Sequence, residues 1–220
     1  SSDYGRITIE LTGASAGSPF LITAQSGAAS ASNAVFTSSI GQNLDRNTLN
    51  SWKHYALSLY NSGSDLVAKL YVDGRLNDKN VYSNKKLGEL ESKNMTGRLG
   101  ALLTAPSGTA TDGTLPSAFA AAGKLSGSLD EFRFWKVARD AGEIGKNWFD
   151  QVRGGVNTDI SNTTLGMYYK FNEGITGYAA TDSVVLDYGG RLCNGTWQGY
   201  STTSRNTGSA ILSASAAIKE

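Results

Sequence analysis

Apolar and polar residues alternate with a period of two over most of this chain, the spacing of half-buried strands. In YGRITIEL, Ile7, Ile9 and Leu11 fall on one face and Arg6, Thr8 and Glu10 on the other. PFLITA and NAVFTSSI continue the pattern across a Gly/Ser/Ala-rich turn region. WKHYALSLY places Tyr55, Leu57 and Leu59 together, and LVAKLYV places Leu66, Ala68, Leu70 and Val72 together. The loop NSGSD joins these two runs as an antiparallel pair. Asp73-Gly74 then predicts a two-residue hairpin, because both residues tolerate positive φ. A polar stretch, SNKKLGELESKNMTG, reads as an excursion along the surface, and GRLGALLT as a further strand. From Ala105 to Gly123 no period is visible, which predicts a long loop of the kind that usually carries a role or is mobile. LSGSLDEFRFW reads as a strand. LGMYYKFN, SVVLDY, RLCNGTWQG and SAILSA form a second strand cluster.

The period changes once, at the end of SLDEFRFWKVARDAGEI. Asp130, Phe132 and Phe134 share parity, while Glu131, Arg133 and Trp135 point the other way, so the phenylalanines predict the core-facing side. Asp140 then has the chemistry of a helix N-cap, with Glu143 three residues on as its capping-box partner. Ala141, Ile144 and Trp148 recur at helical spacing. The helix is expected from Ala141 to about Gln151, ending before Gly154-Gly155. The expected fold class is all-β: a sandwich of two antiparallel sheets with one short helix. A chain of 220 residues suits one large domain over residues 1–220. Its start, SSDYG, reads as that of a fragment of a longer chain.

Three blocks resemble one family. GKLSGSLDEFRFWKVARDAGEI is similar to the closing signature of laminin G-like domains, which have the concanavalin A-like jelly roll. NSWKHYALSLYNSGSDLVAKLYVDGRL resembles that family's Trp-x-His strand and Leu-Tyr-Val-Asp-Gly hairpin. LGMYYKFNEGITGYAATDSVVLDYGGRLCNGTW resembles its Tyr-x-Phe-Asn-Glu-Gly segment and the Gly-Thr strand that follows. The family's opening strands, which usually precede a stretch like YGRITIEL, are either missing or supplied by the segment from Leu165 onward. The turn Asp187-Tyr188-Gly189-Gly190 departs from the family's Asp-x-Ser-Gly-Asn-Gly. The resemblance implies a jelly-roll β-sandwich, and relatives of this class include calcium-binding and sugar-binding domains.

Composition narrows the function. Net charge is +1, from 20 basic and 19 acidic residues mixed along the chain, so no basic stripe points to nucleic acid. No run approaches the roughly 18 apolar residues of a membrane span. His54 is the only histidine and Cys193 the only cysteine, which removes zinc sites built on His/Cys clusters and internal disulfides. Cys193 is expected to be a small buried residue, and His54 a partly exposed structural one. Jelly-roll glycosidases need two carboxylates on one face, about 5–5.5 Å apart for retention. Asp130 and Glu131 are adjacent and point apart, so they do not form that pair. Dinucleotide, P-loop and nucleophile-elbow motifs are absent from the sequence.

What remains is a set of binding candidates. Asp130, beside the Ala105–Gly123 loop, could join Asp112 and loop carbonyls around calcium, the one candidate cofactor. The plainer reading has Asp130 held by backbone N–H groups or a nearby cation. Tyr188, Asn194, Trp197 and Tyr200 form the most plausible sugar-binding cluster, with ring faces beside amide and hydroxyl groups. The plainer reading has Trp197 packed in the sandwich. Trp52 and Trp135 read as packing or edge cover, and Trp148 as helix core. Asn94, Asn162 and Asn194 match the glycosylation acceptor pattern, as chance allows in a Thr- and Asn-rich chain. The expected function is a non-enzymatic recognition or adhesion module, extracellular, on a cell surface or on a virion. Its partner would be a glycan or a protein surface. The alternative is a structural or decoration domain of a larger assembly, such as a phage capsid, tail or fibre, with no small ligand.

Overall fold

The structure, a computed structural model, describes residues 5–11, 18–26, 35–44, 51–87, 97–100, 125, 127–152, 163–174, 176–191 and 193–197. It is mostly antiparallel β. The chain divides into two compact units, Ser1–Ser126 with Ala138–Phe149, and Gly127–Val137 with Asp150–Glu220.

The first unit holds two three-stranded antiparallel meanders. β1 (Gly5–Leu11), β2 (Phe20–Ser26) and β3 (Val35–Ile40) form one; β4 (Tyr55–Ser62), β5 (Asp65–Val72) and β6 (Arg75–Tyr82) form the other. Two-residue turns join the second set. Gly63 alone takes positive φ in the first turn, whereas Asp73 (φ 47°) and Gly74 (φ 77°) both do in the second, the type I′ pattern. Ile22, Ile40, Ala68 and Leu70 form one buried cluster, with Phe20, Leu44, Leu57, Leu59 and Tyr82 packed around it. The faces predicted for β4 and β5 are therefore the ones that meet the first sheet. The opposite face of this sheet carries further burial. Val67 and Tyr71 are buried there, and Ser58 beside them donates to the Arg139 carbonyl at 3.4 Å.

Polar side chains stitch the two meanders together. A bulge between β5 and β6 pairs Leu70 with Asp78 and Tyr71 with Leu76, leaving Asn77 as the extra residue. Asn77 uses both ends of its amide on Gln42, accepting its N–H at 2.8 Å and donating to its carbonyl at 3.1 Å. Asp78 accepts the Gly41 N–H at 2.9 Å, and Asn80 donates to the Ser39 carbonyl at 3.1 Å.

β1 lies at an edge of its sheet, and its burial departs from the simple alternation. Ile7, Ile9 and Leu11 are 49%, 51% and 38% exposed, while Thr8 is buried. The register puts Ile9 opposite Ile22 and Leu11 opposite Phe20, so the apolar face continues the core face of β2. It extends beyond the cover that buries Ile22.

The helix α1 (Ala141–Asn147) begins as predicted: Asp140 accepts the Glu143 N–H at 2.7 Å, and Glu143 accepts the Asp140 N–H at 2.9 Å. It ends at Asn147, short of Gln151, with Trp148 as its C-cap. Ile144 is its buried residue. The Trp148 indole lies against the Asp73-Gly74 turn, so closely that a Cβ on Gly74 would stand 2.1 Å from Trp148 Cδ1. Only glycine fits both that φ and that contact.

The second unit contains β7 (Phe132–Trp135) paired with β8 (Leu165–Tyr169), a short helix α2 (Ala179–Asp182), and β9 (Val184–Val185) paired with β10 (Gly195–Thr196). Each strand is shorter than the alternation predicted. Gly97 to Gly100, the described part of the GRLGALLT run, is not in a strand. The segments 105–123 and SAILSA lie outside the described residues.

Gly74→Ala is expected to cost about 2–4 kcal/mol, from overpacking and a left-handed backbone together. In a Trp148→Ala background the same change should cost only the backbone part, about 1 kcal/mol. Chemical denaturation of the four proteins checks this. Equal costs in both backgrounds would contradict the contact.

Candidate functional site

The second unit is organised around β8. On one edge it pairs with β7, with Phe132 opposite Tyr169 and Phe134 opposite Met167. On the other edge the segment 186–188 runs alongside: the Tyr188 N–H donates to the Tyr168 carbonyl at 2.8 Å, and the Tyr168 N–H donates to Asp187 Oδ1 at 2.9 Å. The Asp187 carboxylate also accepts the N–H groups of Gly189 at 2.8 Å and Cys193 at 3.2 Å. One carboxylate thus ties Tyr168, Gly189 and Cys193 together. Asp182, 2% exposed, does the same for the loop before α2, accepting from the Thr176 and Gly177 N–H groups and from the Thr176 hydroxyl.

Successive residues of β8 point to opposite faces, which separates two aromatic groups. On the Tyr169 face, Phe132 stacks on Tyr169 at 6.1 Å, Phe171 follows at 6.1 Å, and Trp197 lies 6.0 Å from Phe171. Phe171 leaves the strand with φ 54°, a left-handed conformation costly for a bulky residue. The Tyr169 hydroxyl donates to the Cys193 carbonyl.

On the Tyr168 face lies a polar network. Tyr168 is fully buried, and its hydroxyl donates to Glu131 Oε2. Arg133 donates to the same oxygen at 3.1 Å and to the Asp150 carbonyl, and its guanidinium lies 5.5 Å from the Tyr168 ring. Glu131 reaches this position from a left-handed backbone, φ 54°. The Lys170 ammonium stands over two rings, 5.4 Å from Tyr168 and 4.9 Å from Tyr188, which itself meets Tyr168 edge-on at 6.3 Å. Burial pushes the Tyr168 hydroxyl well above the ordinary tyrosine range, and the bond to Glu131 and its charge add to that. Burial also raises Tyr169 and Tyr188, with Asp187 and Cys193 adding to the first and Glu173 to the second.

The predicted site residues are distributed as follows. Tyr188 and Trp197 are 44% and 39% exposed but belong to opposite faces of β8, so they do not share one platform. Asn194 is committed to the turn, its Oδ1 accepting the Asp187 N–H at 2.9 Å. Tyr200 and Asp112 lie outside the described residues, as do Asn94 and Asn162. Asp130 is exposed just before β7, and its Oδ1 accepts the Glu131 N–H at 3.0 Å. Desolvation of the carboxyl by the neighbouring chain raises it even so, partly offset by that bond, with the Glu131 charge adding to the rise. Among the described residues no group of three or more His, Cys, Asp or Glu is placed to hold a metal ion. Among them, too, no helix is long and apolar enough to cross a membrane.

The Phe132 and Phe134 side of β7 is not the more buried one. Phe134 is partly exposed, while Glu131 and Arg133 face the fully buried Tyr168. Cys193 is exposed, unlike the expectation, because its N–H and carbonyl are fixed in a surface turn. Trp52 is largely exposed rather than packed. His54 is half-buried, its N–H donating to Asp73 at 3.0 Å and its ring 6.0 Å from Trp148. Phe171, Lys170 and Asn172 were missed by sequence reasoning. Their signal was present in YYKFN, where Tyr168, Lys170 and Asn172 share one parity and Tyr169 and Phe171 the other.

No family model and no curated protein matches the chain. A solved structure, an S-layer domain-containing protein from Clostridium thermocellum, is similar at 19% identity with a TM-score of 0.31. The match covers 66% of this chain and 63% of that one.

Tyr168 gives a pH test. Its proton is held more tightly in the folded state than in the unfolded one, so its contribution is complete below the unfolded tyrosine pKa of about 10 and is lost as pH rises beyond it. Tyr168→Phe should therefore show a flatter fall in stability than the parent protein between neutral pH and about pH 11, measured by urea midpoints. Parallel curves would overturn the assignment.

Proposed function

We propose that this chain is a non-enzymatic recognition module, a laminin G-like jelly-roll β-sandwich that binds a glycan through exposed aromatic groups of its second unit. It acts outside the cell, on a cell surface or on a virion. The observation that carries this reading is the Phe132–Tyr169–Phe171–Trp197 ladder. A sugar ring needs a flat apolar surface that is rigid before the ligand arrives, since ordering it on binding would cost affinity. Trp197 is partly exposed at the end of the ladder, braced from behind by Phe171. The two meanders on one core and the three motif blocks support the sandwich class.

A second reading has its own observation. The exposed stripe Ile7, Ile9 and Leu11 lies on an edge strand, where monomeric proteins usually place charge, proline or a bulge. That favours a structural domain packed within a larger assembly.

A glycan array probed with and without EDTA separates the two. The recognition reading expects dose-dependent binding to at least one glycan. Trp197→Ala should weaken it about tenfold, the effect of losing about 1.4 kcal/mol of contact. The assembly reading expects silence across the array together with concentration-dependent self-association, measured by sedimentation, that Ile9→Lys abolishes.

A further inference from the structure

The Tyr168 face of β8 ends in a cluster that the Trp197 ladder does not use. Lys170, Asn172 and Tyr188 meet there. Lys170 is held by two ring faces and by one hydrogen bond, from its ammonium to Gln151 Oε1 at 3.3 Å. Among the described residues no carboxylate lies within 4.0 Å of that ammonium. Three acids of this unit hold other donors. Glu131 takes the Tyr168 hydroxyl and Arg133, Asp187 takes three backbone N–H groups, and Glu173 accepts the Leu186 N–H at 3.0 Å. Asn172 is exposed, and its Oδ1 accepts the Tyr188 hydroxyl at 3.4 Å, so the donors of its amide are on the other atom, Nδ2. Lys170, with three donors, has at most one spent on Gln151.

Ring contacts hold an ammonium in place without neutralising it. A cation over a tyrosine face is attracted by the ring quadrupole but keeps its full charge for a third partner. Here the Lys170 ammonium and the Asn172 amide both meet Tyr188, whose ring is partly exposed. We infer that Lys170, Asn172 and Tyr188 form a subsite for the carboxylate of an acidic sugar, with Lys170 pairing with the carboxylate and Asn172 Nδ2 donating to it. This rests on the glycan-binding reading and specifies its ligand as a uronate- or sialate-type saccharide. A neutral sugar would leave the Lys170 charge without a partner.

The test is a panel of acidic oligosaccharides, both oligouronides and sialosides, each paired with its carboxyl-reduced neutral counterpart. Binding to the purified chain is measured by calorimetry at low and moderate salt. At least one acidic member should bind about tenfold or more tightly than its reduced partner, with affinity falling as salt rises. Lys170→Gln should abolish that difference, and Lys170→Arg should retain part of it. Unchanged melting curves for both variants confirm that the fold is intact. Acidic members that bind no better than their reduced partners would overturn the subsite while leaving glycan recognition standing. Silence from every member of the panel, with binding only to an acidic protein surface, would overturn both.

Discussion

The structure depends on main-chain groups that have no strand to pair with. A buried N–H such as that of Gly41 costs on the order of 1–3 kcal/mol if left open, and more exposed groups at a ladder's end exchange water for a fixed side-chain partner. In the first unit, where β3 ends, Asn77, Asp78 and Asn80 take over from it and bind the backbone of Ser39, Gly41 and Gln42. Those four bonds fix the position of one meander on the other, and with it the core of Ile22, Ile40, Ala68 and Leu70. Asn77 can do this because the bulge turns it out of the β5–β6 ladder.

The second unit uses the same device with carboxylates. Asp187 gathers the 187–193 turn against β8, and Asp182 closes the loop before α2. A strand pair as short as β7–β8 would hold its side chains loosely by ladder bonds alone. The turns anchored on those carboxylates add a third strand-like segment at 186–188, which sets Tyr188 beside Tyr168. The aromatic groups on both faces owe their positions to that arrangement. The exposed Tyr188 ring is therefore carried by a turn whose position Asp187 sets.

Much of the first unit was legible in the sequence. The β4–β5–β6 meander, its Asp73-Gly74 turn and the capping box at Asp140 follow from local chemistry, and each lies where residue spacing put it. The helix end was overestimated, because Trp148 leaves the helical stripe to lie on Gly74, a contact between residues 74 positions apart that periodicity does not report. On β1 the alternation identified the apolar face, but its exposure depends on how far the opposing cover extends. On β7, parity sorted Phe132 from Arg133 correctly, yet the fully buried Tyr168 sits on the polar side, where Glu131 accepts from both Arg133 and the Tyr168 hydroxyl. Hydrophobicity alone ranks those faces the other way. Among the candidate ligand residues, composition found Tyr188 and Trp197 but not that β8 stands between them.

The stitches between the meanders also favour an order of assembly. The two-residue turns of β4–β5–β6 close almost no loop, whereas the bonds from β6 back to Gly41 and Gln42 span 37 and 35 residues. Loop-closure entropy makes the longer span costlier by roughly 2 kcal/mol. The later meander can therefore assemble as a platform before the earlier one settles on it, although it leaves the ribosome second.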